Sequence, residues 1–225
     1  MRVVFGSGSP DTCRYSAHQY MAHAGEQQNR LYRIDEGWAC RFRLLSDGRR
    51  QITALFLPGE LCEPQWALKA LAAQSITAVT NMRVSIVATR SFKEQMTDLD
   101  GEIIRSLLAY LDWQSDWLVS LGRKSAIERL SEFFCTIFER MRRAGLTYGD
   151  QCAMPLTQTD LADLAGLTAV HVNRVLQELR EKKILELHSK WLRILDMQEL
   201  RHMAGTPLPN PRPIRTEKPL IANLS

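Results

Sequence analysis

The sequence predicts an α+β fold in three parts: an N-terminal antiparallel β-barrel, one long helix, and a C-terminal pair of short helices followed by a two-stranded wing. Three observations carry that prediction. Before residue 90, short apolar-alternating runs are separated by Gly, Pro, Asn and Asp turns, as in small antiparallel barrels and sandwiches. Near residue 91 the apolar period lengthens from two to that of a helix. After residue 156 two short amphipathic runs are divided by Gly166 and followed by a basic turn between apolar runs.

The strands come first. In Trp38-Ala39-Cys40-Arg41-Phe42-Arg43-Leu44 every second residue is apolar and both arginines fall on the other face, which predicts a half-buried strand. Leu31–Asp35 is a shorter strand ended by Glu36-Gly37. Ser46-Asp47-Gly48 is a hairpin signal, because Gly accepts the positive φ of a tight turn. A further strand runs from about residue 50 to 57 and stops at Pro58-Gly59, and two more fit Ser75–Thr80 and Arg83–Ala88. We place this unit at residues 1–90.

The long helix, placed at residues 91–122, contains no proline and, before its terminal Gly122, one glycine, Gly101. Ile103, Leu107, Tyr110, Gln114, Trp117 and Leu121 recur at alternating steps of four and three, a heptad-like seam with one polar member. A second stripe, Ile104, Leu108, Leu111 and Leu118, runs beside it. One stripe suffices to seat the helix on its own β-unit, so the pair predicts a homodimer, with the first stripe as its interface. A second helix, from Ser125 to about residue 143, carries Ile127, Leu130, Phe133, Phe134, Ile137, Phe138 and Met141. It ends in Arg142-Arg143-Ala144-Gly145, basic residues and a Gly suiting a helix C-terminus. Leu146–Pro155 reads as a linker or short strand. The segment 205–225 holds Pro207, Pro209, Pro211, Pro213 and Pro219, a spacing that forbids helix and sheet and predicts a disordered tail.

Residues 123–204 carry the chemistry. Thr157 is placed to cap a helix containing Leu161, Leu164 and Ala165, with Asp160 suiting the positive end of its dipole. Gly166 breaks that helix, and Thr168 caps a second one, burying Val172, Val175, Leu176 and Leu179. Two short helices about a Gly-containing turn make a helix-turn-helix. The second helix then exposes Ala169, Val170, His171, Asn173, Arg174 and Gln177. Asn and Arg form bidentate bonds to adenine and guanine edges in the major groove. Ile184–Leu187 and Trp191–Leu195 flank His188-Ser189-Lys190, a wing whose basic tip suits a phosphate backbone. We therefore expect Thr168, Asn173 and Arg174 at base edges, with Thr157, Gln158, His171 and Lys190 toward the backbone and Ala169, Val170 and Gln177 on the same face.

Composition narrows the alternatives. The chain has 225 residues, 45% hydrophobic and 24% charged, with a net charge of +4, which permits a polyanionic partner without requiring one. No apolar run approaches the roughly 20 residues of a membrane-spanning helix, and Met1–Pro10 is no signal peptide. A cytoplasmic protein is expected. The five cysteines are scattered without a Cys-x-x-Cys pair, so free thiols are expected. There is no metal-ligand spacing, no nucleophile–base pair and no phosphate loop, so neither an enzyme nor a resident cofactor or metal is expected. A cupin-type site would need closely spaced ligands such as His-x-His, and His18, His23, His171, His188 and His202 do not supply them.

Residues 14 to 204 resemble the Crp/Fnr family of bacterial transcription factors. The resemblance is carried by Leu31-Tyr32-x-Ile34-x-x-Gly37, Ser46-Asp47-Gly48-Arg49, Leu57-Pro58-Gly59-Glu60, and Leu156-Thr157-Gln158-Thr159-Asp160-Leu161 through Asn173-Arg174-Val175-Leu176. It implies a cyclic-nucleotide-binding-like barrel, a dimerisation helix and a winged helix-turn-helix. It also implies a homodimer on two-fold-symmetric double-stranded DNA, with RNA polymerase as a further partner. Arg174 falls at the family's base-contacting arginine, but Val170 stands where many members have a glutamate that reads cytosine. Glu60 matches a ribose-binding glutamate. Gln74-Ser75, however, replaces the Arg-Ser pair that holds the cyclic phosphate, and Gln cannot neutralise a phosphate. Cyclic nucleotide binding is not expected. Cys13 stands alone, so no N-terminal iron–sulfur cluster is expected either. The competing reading is a small-molecule sensor whose barrel binds a ligand and whose C-terminal domain contacts a protein.

Overall fold

The computed structural model describes residues 12–67, 71–88 and 98–205. The N-terminal unit is built from β1 (Thr12–Tyr15), β2 (Tyr20–Ala22), β3 (Arg30–Glu36), β4 (Ala39–Leu44), β5 (Arg50–Phe56), β6 (Leu61–Cys62), β7 (Ser75–Ala78) and β8 (Met82–Ala88). They form two four-stranded sheets, ordered β1-β8-β3-β6 and β2-β7-β4-β5, with every pairing antiparallel. The sheets do not close into one ladder, so the expected barrel is a two-sheet sandwich. Ile34, Ala54, Phe56, Ile76, Ala78, Val84 and Trp66 fill the space between them. Gly37 serves this packing twice over. Its φ is +83°, and an added Cβ would lie 2.5 Å from the Asn81 carbonyl oxygen, so only Gly fits both the turn and the approach.

The structure corrects the reading of β4. Arg41, expected on the solvated face with Arg43, is buried. The alternation holds, with Ala39 in the core between the sheets, Arg41 on Glu63 and Tyr110, and Cys40 and Phe42 in the core shared with the later helices. The register against β5 shifts between Arg41 and Phe42, a bulge that leaves Thr53 unpaired. Both faces of the strand are therefore covered and residues 39–42 are all buried, while Leu44 points to solvent. Strands β1, β2 and β6 were not expected; the last two are three and two residues long, too short to show a period.

The long helix α1 (Asp98–Arg123) follows, then α2 (Ala126–Arg143). The break between them is sharpened by Ser125, which accepts from the Glu128 N–H while the Glu128 carboxylate accepts from the Ser125 N–H, a reciprocal cap. Next come β9 (Thr147–Tyr148), β10 (Gln151–Ala153), α3 (Gln158–Ala165), α4 (Ala169–Glu181), β11 (Leu185–His188), β12 (Trp191–Ile194) and α5 (Met197–Met203). The segment read as linker or short strand is thus a hairpin. It extends the wing into a sheet ordered β11-β12-β10-β9.

One apolar core runs through both halves of the chain. Trp38, Phe42, Ile52, Leu55 and Leu57 of the sandwich share it with Phe133, Phe134 and Ile137 of α2 and Leu161, Leu164 and Ala165 of α3. No helix among the described residues is long and apolar enough to cross a membrane. The N-terminal decapeptide and residues 206–225, read above as lacking a signal peptide and as a disordered tail, lie outside the described residues.

Candidate nucleic-acid interface

Local chemistry places α3 and α4. Thr157 caps α3, its hydroxyl accepting from the Asp160 N–H at 3.1 Å while the Asp160 carboxylate accepts from the Thr157 N–H at 2.9 Å. Gly166 ends the helix in the left-handed region at φ +64°, a conformation a side chain would strain. Thr168 then caps α4 by accepting from the His171 N–H at 3.2 Å. The spacing of Val172, Val175, Leu176 and Leu179 puts all four on the buried side of α4.

The opposite side is open. Thr168, Ala169, Val170, His171, Arg174 and Gln177 are exposed, Val170 at 74%, and Thr157, Gln158 and Lys190 are exposed around them. Among the described residues, the side chains of His171, Arg174, Gln177 and Lys190 have no intramolecular partner. Asn173 is half-buried, and its amide donates to Gln158 Oε1 at 3.2 Å. The two helices are therefore tied together at their polar rim, and Asn173 keeps only part of its hydrogen-bonding capacity for a ligand. From residue 168 to 194 there are six Lys or Arg against three Glu, so the surface favours an anion.

The wing is a two-residue hairpin in which His188 pairs with Trp191. Its central residues, Ser189 and Lys190, both have positive φ, 50° and 65°. A type I′ turn requires this and usually obtains it from Asn-Gly. Here two side-chain-bearing residues hold the strained turn, and Lys190 is set at its tip.

Two arginines fasten α3 to the rest of the chain and a third ties α2 to the sandwich, and sequence reasoning identified none of them. Arg50 on β5 donates through Nε to Asp163 at 2.6 Å and through its terminal nitrogen to Asp160. Arg129 on α2 donates to the carbonyls of Ser120, Leu121 and Lys124 at the end of α1 and of Ala165 at the end of α3. It thereby caps two helix C-termini at once, where the dipoles favour a cation. Arg140 on α2 forks onto both oxygens of Glu60, at 3.0 and 2.6 Å, and donates to the Leu55 carbonyl. Glu60, matched by resemblance to a ribose-binding group, is thus committed within the chain.

The stripe expected as the dimer seam is corrected. Ile103 packs on Leu31 and Leu61 with Leu107 beside it, and Trp117 and Leu121 pack into the shared core. Tyr110 meets Arg41, and Gln114 donates to the Thr53 carbonyl at 2.9 Å. All six face the chain's own sandwich and α2. The physical reason lies in the polar members: a half-buried Gln needs a partner, and the bulged strand pair beneath it supplies one. The neighbouring stripe is the bare one, with Leu108, Leu111 and Leu118 at 57%, 60% and 72% exposure.

The sandwich interior beside α1 is filled by its own side chains. Arg41 pairs with Glu63 at 2.5 Å, contacts the Tyr110 hydroxyl, and donates to Thr53, which in turn donates to Gln74 at 2.6 Å. Glu63 holds a positive φ of 51° and also accepts from Gln65. A residual cavity of about 10 Å³ is lined by Arg41, Phe56, Glu63, Pro64, Gln65, Leu107 and Tyr110. Among the described residues no cluster of His, Cys, Asp or Glu has metal-binding geometry. Cys152, just before the helix-turn-helix, is fully buried, and burial pushes its thiol up to about 11, away from the reactive thiolate.

Two family models match the chain: a cyclic nucleotide-binding domain over residues 12–98 and a Crp-like helix-turn-helix domain over residues 128–203. The nitrogen fixation regulation protein FixK of Rhizobium meliloti is 28% identical over 202 residues, covering 88% of this chain and 90% of that protein. The transcriptional activator protein FnrL of Cereibacter sphaeroides is 26% identical, covering 85% and 79%. Among solved structures, FixK2 from Bradyrhizobium japonicum superposes with a TM-score of 0.73 at 27% identity, over 90% of this chain and all of that one. The regulator TTHB099 from Thermus thermophilus, at 20% identity and a TM-score of 0.68 over 88% of this chain and 98% of that one, shares the fold.

Proposed function

The chain belongs to the Crp/Fnr family of transcriptional regulators, and from that premise we propose that it binds two-fold-symmetric DNA as a homodimer without a cyclic nucleotide. It is a DNA-binding regulator of transcription. The observation that carries the reading is the division of α4: four apolar side chains are buried, while His171, Arg174 and Gln177 stand exposed without an intramolecular partner. A helix so divided is seated to enter a major groove. Arg174 is assigned to guanine, Val170 to a thymine methyl, and Thr168 and Asn173 to neighbouring edges. Thr157, Gln158, His171 and Lys190 are assigned to phosphates, with Ala169 and Gln177 completing the face. The DNA-binding unit is residues 123–204, and its work places the protein in the cytoplasm, where RNA polymerase is the further partner.

Dimerisation is assigned to the Ile104, Leu108, Leu111 and Leu118 stripe of α1. Its steps of four, three and seven residues keep one face toward a partner helix. Independence from cyclic nucleotides is supported by two features. Gln74, standing in place of a phosphate-binding arginine, is occupied by Thr53. Glu63, already on Arg41, lines a cavity of only about 10 Å³.

The test is selection of bound duplexes from a random pool, followed by footprinting and titration with cyclic AMP and cyclic GMP. Recovery of a palindrome with half-sites about one helical turn apart, binding that weakens steeply with salt, and no heat on adding nucleotide are expected. Tight nucleotide binding with no salt-dependent DNA affinity would favour the alternative, a ligand sensor whose C-terminal domain contacts a protein.

A further inference from the structure

Helix α3 carries two carboxylates, Asp160 and Asp163, one turn apart on the side that faces the sandwich. Both meet one guanidinium. Arg50 is the first residue of β5, and its Nε and terminal nitrogen take one carboxylate each. The group is about three-quarters buried, lies over the Phe42 ring at 5.8 Å, and has Phe42 and Ile52 in the core below it. The next residue, Gln51, donates to the Leu164 carbonyl at 2.9 Å. Two successive residues of one strand thus grip the side of α3 and a carbonyl near its end. A planar fork holding two points on a helix fixes its rotation as well as its distance, which a point charge would not.

The grip reaches the reading surface by short steps. Gln158, at the start of α3, bonds to Asn173 on α4. Leu161 and Leu164 of α3 share the buried core with Val172 and Val175 of α4. Rotation of α3 therefore carries α4 with it.

We infer that Arg50 is a positioning residue for DNA recognition, holding each recognition helix at a set place on its own sandwich and so fixing the half-site spacing that the dimer accepts. The inference rests on the proposed dimeric DNA reading. In a dimer joined through α1, the separation of the two α4 helices is decided by where each sandwich holds its α3. Half-sites lie about 34–36 Å apart, and one base pair adds about 3.4 Å of rise and a tenth of a turn. A rigid pair of readers must penalise such a change, whereas a loosened pair tolerates it.

The test uses the full chain and the duplex that wild-type protein recovers from the random pool. Variants of that duplex have one or two base pairs added or removed at the centre. Wild type is expected to lose about tenfold or more in affinity per base pair of misplacement, a loss of the size each spoiled base contact brings. Arg50→Gln is expected to bind the parent duplex more weakly, yet show a spacing penalty below about threefold once normalised to its own best duplex. Arg50→Lys should fall between the two. Asp163→Asn removes one arm while leaving the Asp160 cap intact, and should relax spacing partway even if Arg50→Gln folds poorly. A spacing profile for Arg50→Gln or Asp163→Asn that superimposes on wild type overturns the inference, whatever happens to melting temperature. Wild-type protein that binds none of these duplexes, or all equally, overturns the dimeric reading and the inference together.

Discussion

The Arg41–Glu63 pair is the most exacting place to test the energetics of this fold. The side chains are 7% and 2% exposed and 2.5 Å apart. A buried ion pair returns little net stability, but removing one partner strands the other charge and costs about 3–5 kcal/mol. Arg41→Met does this to Glu63 and also takes donors from Tyr110 and Thr53, so the upper part of that range is expected. Glu63→Gln strands the guanidinium but leaves it two neutral partners, and the lower part is expected. In a domain of this size each kcal/mol moves the melting midpoint by about 2–4 °C, a fall of roughly 6–20 °C for either variant. The double variant Arg41→Met/Glu63→Gln should recover at least about 2 kcal/mol of the summed loss, since neither charge is then stranded. Urea unfolding at one fixed protein concentration gives these numbers, the concentration being held because association contributes to the measured stability. Single variants costing less than about 1 kcal/mol, or a double variant costing the full sum, would refute the picture of a dry, charge-paired interior.

Three further outcomes follow from the same structure. Leu118→Arg removes two apolar contacts per dimer, at about 1.5–3 kcal/mol each, and opposes like charges, so sedimentation should show mostly monomer; an unchanged dimer mass would move the interface elsewhere. Arg174→Ala should cost about 1–3 kcal/mol of specific binding and blur preference at one base, and an unaltered preference in a fresh random-pool selection would remove Arg174 from the reading set. Burial raises the Asp160 carboxyl, but the Thr157 hydroxyl and N–H together with Arg50 outweigh it and hold the group below its ordinary 3.8. Its contribution is therefore complete above that ordinary value and is lost as pH falls through the lower, folded value. The hold of the sandwich on α3 should be unchanged from pH 7 to 5 and weaken in acid below pH 4, and hydrogen exchange in α3 that already rises between pH 7 and 5 would contradict this.

What was legible in the sequence was whatever is decided within a few residues. The caps of α3 and α4 involve side chains and N–H groups three residues apart, and the buried side of α4 follows from a period of 3.6. The caps and buried side of the helix-turn-helix were accordingly legible, whereas Asn173, expected exposed, is half-buried on Gln158. The fastenings were not, because Arg50 and Asp163 are 113 residues apart and Arg140 and Glu60 are 80 apart. A single arginine in a strand carries no mark of its partner. The two stripes of α1 show the boundary most sharply. Both have the period of a buried face, and the choice between them turned on a polar residue. A seam containing Gln114 and Tyr110 needs partners for an amide and a hydroxyl, which the bulge at Arg41 provides from the sandwich. An all-aliphatic stripe needs none, so it is the one that can be left for a second copy of the chain.

The same contacts bear on what the sandwich is for. A ligand shifts a conformational equilibrium only by the difference in its affinity for the two states. An anion entering beside Arg41 would have to lift Glu63 from it, exchanging one buried ion pair for another, and such an exchange leaves little surplus to move α1. Against that small surplus stand the continuous apolar core between the sandwich, α2 and α3, the forked Arg50 and Arg140 contacts, and the four carbonyls held by Arg129. Moving a population from mostly one pose to mostly the other takes about 5.5 kcal/mol of differential binding. In this reading the sandwich acts as the mount on which the recognition helix is held.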